Sequence, residues 1–277
     1  MKTIITHKKP HLDEVAAVWL LQRYHPDCKR FRLRFVAQNS PLALGQKKPT
    51  SRDILLGTGK GMFDEHTGKM KDSAATLVLK FLDASGWLPS ESHKRRALDT
   101  VVEHVRMTDF AEDYQYPHIV REFLPEAIIS GWKRRYSDAT VVRKGIDLME
   151  SLYIENRTWE ETAQLWPTRK EFRAGRFHGV GLVGHPLGAA DRMAYDNGFD
   201  FVILVDTKYN RRQFRASTRS AVDFTPAYNV LLQKDREASW YLHHTGKMLI
   251  SGSEVAAAEN LSHLDLDELI EITQQVL

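Results

Sequence analysis

His7, His11 and Asp13 fall within one span of seven residues, and Glu14 follows directly. Imidazole and carboxylate donors at that density suit a divalent ion such as Mn, Fe or Zn. Asp64, Glu65 and His66 offer the same donor types a second time, and Asp109, after Met107-Thr108, is a third candidate. Each group also has a plainer reading. Asp13 stands at the start of a helix, where a short carboxylate caps backbone amides. Asp109 stands at the end of one, where an acidic residue serves a turn.

The elements around these residues are what place them together. Thr3-Ile4-Ile5-Thr6 is a short β-rich run that stops at the polar loop His7–His11. An amphipathic helix follows, with Val15, Val18, Trp19 and Leu21 to Tyr24 on its apolar face, and Pro26 marks its end. Phe31 to Val36 alternates apolar and basic residues as a half-exposed strand does. Asp53 to Gly57 reads as another strand, Ser73 to Leu82 as a capped helix, and Arg95 to Thr108 as a further helix with Leu98, Val101, Val102 and Val105 on one side. Strands alternating with helices predict a parallel sheet, whose ligands sit at the carboxyl ends of the strands. Both His/acid groups follow a strand and precede a helix, so both are expected at that edge.

The class is therefore α/β, with an N-terminal parallel-sheet domain over 1–116, a helical connector over 117–170 and a smaller α/β domain over 171–277. The connector carries the apolar stripe Ile128, Ile129, Trp132 and a second from Val141 to Tyr153. In the last part, Gly179 to Gly184 and Phe201 to Asp206 read as strands, and Leu187 to Asn197 as a short helix. Gln213 to Arg219 alternates after a turn at Tyr209-Asn210, which puts Arg215, Ser217 and Arg219 on one face. Guanidinium groups so placed bind phosphate bidentately, or else protect a solvated sheet edge. His243-His244 and the loop Ser251-Gly252-Ser253 are further candidates for holding an anion, the loop through its backbone amides. The spacing Gly179-x-Gly181-x-x-Gly184 fits a dinucleotide fingerprint, but the glycines lie inside an apolar strand, and a nicotinamide role is rejected.

The composition is that of a soluble globular protein. Of 277 residues, 42% are hydrophobic and 27% charged, with a formal net charge of +3. A lone cysteine, Cys28, excludes an intramolecular disulfide and a cysteine-rich zinc site. No apolar run approaches the ~20 residues that cross a bilayer, and a cytoplasmic setting is expected.

On these residues the sequence resembles the DHH phosphoesterases. His7-Lys-Lys-Pro-His11-Leu-Asp13-Glu14 is similar in spacing to that family's opening His-x-x-x-Asp-x-Asp, with His11 in the place of its first Asp. The His-x-Asp-Glu form is similar to a branch of DHH-related RNA exonucleases. Asp64-Glu65-His66 resembles the Asp-His-His motif with Glu65 for its first His, and Asp109 stands where the family has a further metal-binding Asp. The family also carries an Asp at the strand end before Asp-His-His, and this chain has Gly57 there. The resemblance spans most of the chain, but its specific motifs are N-terminal.

The resemblance implies a metal-dependent phosphodiesterase or exonuclease-like hydrolase acting on a nucleotide or short nucleic acid. It implies one or two divalent ions, Mn²⁺ foremost, held by His7, His11, Asp13, Asp64, His66 and Asp109. Asp13 and Glu65 would be the catalytic carboxylates, Glu65 as a ligand or as a proton acceptor. The substrate side would be Arg215, Ser217, Arg219, His243, His244, Ser251 and Gly252, in a second domain that grips the phosphate. The expected partner is a phosphate-containing small molecule or single-stranded nucleic acid, with no membrane. Gly57 and Glu65 keep a second reading open: a non-catalytic nucleotide- or RNA-binding protein on the same scaffold.

Overall fold

The structure is a computed structural model that describes residues 1–67, 72–253 and 259–277. The chain divides into two compact units, Met1–Arg157 and Thr158–Leu277. No described helix is long and apolar enough to cross a membrane.

The first unit opens with a parallel sheet. Strand β1 (Lys2–His7) lies between β2 (Phe31–Val36) and β3 (Asp53–Leu55). Its central position explains the buried run Ile4 to His7, because a strand covered on both faces carries no polar alternation. Helix α1 (Leu12–Tyr24) follows β1, and every residue from Leu12 to Leu21 is buried. A helix enclosed all round packs on several partners. Here they include α2 (Ala74–Ala84), α3 (Ser92–Asp109) and, beyond the short α4 (His118–Arg121), α5 (Pro125–Arg135). Helix α6 (Asp138–Leu165) comes so close to α1 that a Cβ on Gly145 would stand 2.4 Å from Val15 Cγ1. Ile129, Val141, Val142, Met149 and Tyr153 join the same core as Trp19 and Val102.

The second unit is a mixed six-stranded sheet in the order β4-β5-β6-β7-β9-β8. Its strands are β4 (Lys170–Ala174), β5 (Phe177–Gly184), β6 (Phe201–Asp206), β7 (Arg211–Ala216), β8 (Tyr241–Leu242) and β9 (Met248–Ser251). Strands β5 and β6 are parallel, joined through α7 (Ala190–Asp196), whose Ala190 and Ala194 pack with Val180, Leu182 and Val202. Helices α8 (Thr225–Lys234) and α9 (Leu266–Val276) belong to a separate core around Phe201, Phe214 and Phe224. The architecture is thus α/β with a parallel N-terminal sheet, a helical middle and a mixed C-terminal sheet. Gly179 and Gly181 lie within β5, where a Cβ on Gly179 would meet the ring of Phe201 at 2.4 Å. Close ring packing accounts for that glycine.

Two local expectations are corrected. β7 ends at Ala216, so Ser217 and Arg219 share no strand face with Arg215. They sit in the following turn, where the Ser217 amide donates to Asp200 O and Arg219 N donates to Ser217 Oγ. Asp13 does not cap its own helix either; it is the second residue of α1, and it caps another helix.

Candidate metal centre

β1 delivers His7 to the carboxyl edge of the sheet, buried, and α1 begins five residues later. His7 Nδ1 lies 2.8 Å from the Lys8 carbonyl, which can only accept, so that nitrogen carries the proton. Nε2 points at Glu14 Oε1, 2.9 Å away. The other Glu14 oxygen accepts the His11 amide at 2.7 Å and so closes the first turn of α1. The His7 and His11 rings meet edge to face at 5.2 Å. His7 is pushed up to about 9, first by its bond to Glu14. Burial alone would raise Glu14, but the bonds from His7 and His11 outweigh it and hold this carboxylate below its usual range.

Asp13 anchors α2. Its two oxygens accept the Ala74 amide at 2.7 Å and the Ala75 amide at 2.8 Å. Those are otherwise unpaired donors at the positive end of a helix. Burial nevertheless pushes Asp13 well above the carboxylate range, and the neighbouring Glu14 charge adds to it.

The second loop reaches the first because β3 does not simply end. Leu56 N bonds Ile5 O and extends the β1 pairing, while Gly57 N bonds Phe63 O and Leu56 bridges to Phe63, so the chain loops out and returns beside Leu56. Asp64 is fixed there by the Lys60 amide at 2.6 Å and by His66 Nδ1 at 3.0 Å. Glu65 lies 3.1 Å from the same imidazole through Oε1. Its Oε2 is buried and accepts no hydrogen bond from any described residue. Burial pushes Glu65 up to about 7, with Glu14 and Asp64 adding repulsion.

Three sets of donor atoms each lie within 4.8 Å of one another: His7 with His11 and Glu14, Asp64 with Glu65 and His66, and Asp13 with Glu14 and Glu65. Asp109 joins from the end of α3. It lines a cavity of about 160 Å³ with His11, Asp13 and Glu126, and burial followed by the Glu14 charge raises its pKa. Five of the six residues expected to hold metal (His7, His11, Asp13, Asp64 and His66) lie in these donor sets beside Glu14 and Glu65, and the sixth, Asp109, lines a cavity with His11 and Asp13. The donor set fits a divalent ion. Buried carboxylates crowd together, Glu65 Oε2 lacks a partner among the described residues, and His7 Nε2, which donates to Glu14 as the site stands, would be the nitrogen to bind an ion once it gives up that proton, since Nδ1 keeps its own on the Lys8 carbonyl.

Glu14 and Glu126 were not among the expected ligands. Glu14 has a sharper role than its place in the motif suggested. Gly57 has φ +58°, and a Cβ built on it would stand 2.6 Å from Glu14 Oε1. The room that a side chain at this strand end would need is thus filled by the Glu14 carboxylate, reaching across from α1. The signal was the His-Leu-Asp-Glu run together with Gly57. Glu126 accepts the Leu12 amide at 2.9 Å and caps α1 from α5, a contact across 114 residues that no local pattern announces.

In the second unit, Arg215 lines a pocket of about 250 Å³ with His185, Asp191, Asp206, Arg211 and Gln213. Asp206 accepts the amides of Lys208 and Tyr209 and faces His185 Nδ1 at 3.1 Å. Burial would raise it, yet these bonds hold it below its ordinary value. The other expected substrate residues do not line this pocket. The His243 and His244 rings lie 4.1 Å apart, tilted by 41°, in the turn after β8, and His243 Nδ1 bonds Thr245 Oγ1. Ser251 is buried and accepts the Ser262 amide at 3.0 Å, and Gly252 lies against Leu261.

No protein-family model matches the sequence, and no curated protein matches it. Among solved structures, an uncharacterized protein from Helicobacter pylori G27 is similar at 10% identity and TM-score 0.28, over 100% of this chain and 98% of that one. RecJ in complex with Mg²⁺, from Thermus thermophilus, is similar at 12% identity and TM-score 0.34, over 99% of this chain and 49% of that one. Likeness at that level leaves function to be argued from the residues.

Proposed function

We propose that the first unit is a divalent-metal phosphoesterase centre, acting on the phosphodiester of a nucleotide or short single-stranded nucleic acid. The observation that carries this reading is the convergence of two sequence-distant His/acid loops around buried carboxylates, with Glu65 Oε2 unpartnered among the described residues. His7, His11, Glu14, Asp64 and His66 would hold the ion, Mn²⁺ foremost, with Asp109 beside them. A bound divalent ion supplies Lewis acidity, offsetting phosphoryl charge and acidifying water. Asp13 keeps α2 docked and so fixes where α1 presents Glu14. Glu65 Oε2 takes the proton of the attacking water. The second unit carries a pocket of its own, where Arg211 and Arg215 would offer guanidinium groups to an anion.

One observation favours the binding-only alternative: both Glu14 oxygens already accept hydrogen bonds, from His7 and from the His11 amide. A single experiment separates the two. The full chain is loaded with Mn²⁺, its metal content measured, and a bis-aryl phosphodiester supplied. The phosphoesterase reading expects turnover that His7→Ala and Asp64→Ala both abolish together with bound metal. Unchanged metal content and turnover in both variants would reject it. Nucleotide binding with no turnover under any divalent ion identifies a binding protein instead.

A further inference from the structure

One edge of the N-terminal sheet is open. Strand β2 pairs only with β1, and no described residue hydrogen-bonds to its other edge. Val36 O accepts the Lys8 amide on the β1 side. Backbone groups switch sides from one residue to the next along a strand, so Phe31, Leu33 and Phe35 turn their N–H and C=O groups outward. Such a row is a template that another extended chain can complete. The side chains of β2 alternate as well. Arg32 and Arg34 are exposed on one face, about 7 Å apart along the strand. Neither guanidinium meets an acceptor among the described residues. Phe31, Leu33 and Phe35 lie on the opposite face, packed on the core and still half-buried. Between Asp27 and Asp53 every charged residue is a cation, Lys29 and Arg30 included, although the whole chain carries only +3.

Charge and spacing together narrow the partner. A second copy of β2 laid alongside would set arginine against arginine, and like charges directly opposite repel. The arginines therefore guard this edge against self-association and leave it open to an acidic chain. A single-stranded nucleic acid also brings anions, but it stacks its bases on open rings, and Phe31 and Phe35 pack on the core. Nor does it carry the regular row of donors and acceptors that would complete the strand. We propose that the outer edge of β2 receives an extended acidic segment of a partner protein, which adds to the sheet as a further strand. Carboxylates at every second residue of that segment face Arg32 and Arg34. Its intervening apolar residues cover the half-exposed sides of Leu33 and Phe35. Main-chain bonds give such a complex its affinity, and the alternating side chains give it specificity. No candidate metal ligand takes part, so this surface stands apart from the phosphoesterase reading.

The probe is a labelled peptide, Glu-Val-Glu-Val-Glu-Val-Glu, titrated against the full-length chain at low salt by fluorescence anisotropy. It is expected to bind, and more weakly as salt rises. The double variant Arg32→Glu, Arg34→Glu is expected to weaken it about tenfold or more, with an unchanged urea midpoint because both side chains are exposed. Two further peptides are N-methylated, one on its valines and one on its glutamates. Only one edge of an added strand faces β2, so one of the two should bind about tenfold more weakly than the other. Equal affinities overturn strand addition without any change to the protein. Amide exchange at Leu33 and Phe35 should slow when the peptide saturates the chain, and unchanged exchange there overturns the placement. No binding of the acidic peptide, or oligothymidylate bound more tightly than the peptide, overturns the partner assignment.

Discussion

At the scale of single residues, the Glu14–Gly57 contact decides how the site is completed. A residue with a Cβ at φ +58° pays about 1–2 kcal/mol in backbone strain, and here its Cβ would also press on Glu14 Oε1. Gly57→Ala is therefore expected to lower the free energy of unfolding by about that amount and to weaken Mn²⁺ binding, as read by urea denaturation and calorimetry. A compensation experiment is sharper. Glu14→Ala should lose metal affinity, and adding Gly57→Asp to it should recover part of the loss, because Asp tolerates the left-handed region better than most residues. If the double variant binds no better than Glu14→Ala, the spatial exchange of the two positions is wrong. His25 gives a pH-dependent prediction. Its ring packs against Phe81 and Trp87, and burial lowers its pKa. As pH falls below the unfolded value of about 6.5, the unfolded chain takes a proton that the folded chain resists. Stability contributed by the neutral ring is thus present above that pH and lost below it. His25→Gln should flatten this part of the stability–pH curve in urea melts.

At the scale of elements, Asp13 ties α1 to α2. Asp13→Ala leaves the buried Ala74 and Ala75 amides unpaired, at a cost of about 1–3 kcal/mol for such a loss. Denaturant midpoints should show that drop without added metal, whereas Asp64→Ala, on a loop, should lose metal with a smaller change in the metal-free midpoint. Lost activity in Asp13→Ala therefore carries a folding component that the Asp64 variant lacks. Much of this level was legible in the sequence. β2 occupies Phe31–Val36 because alternation and flanking breaks fix both its ends. Ser73 caps α2 and bonds the Thr76 amide, as a Ser ahead of an apolar run should. Asp13 as the cap of a helix 61 residues on was not legible, since capping patterns describe only a residue's own helix. The end of β7 was also hidden: alternation continues through Arg219, but the Ser217 amide turns to Asp200 O and leaves the ladder.

At the scale of the whole molecule, ligands tell the two units apart. All the carboxylate and imidazole donors of the candidate centre belong to Met1–Arg157. Mn²⁺ at a hundred times its dissociation constant should stabilise that unit by about 2.7 kcal/mol. Hydrogen exchange should then slow across residues 1–157 and stay unchanged in the core of 158–277; uniform slowing would argue against a centre confined to the first unit. The layer order and both His/acid loops could be read from strand and helix periodicity, because each motif is local. The walls of the carboxylate cavity could not, since His11, Asp109 and Glu126 meet only through tertiary packing. The space beside Gly57 has one more consequence. It holds one carboxylate and not two, so an acid at position 57 and Glu14 in its present pose exclude each other. Positions 14 and 57 must therefore be varied together, since a change at either one alters the room left to the other.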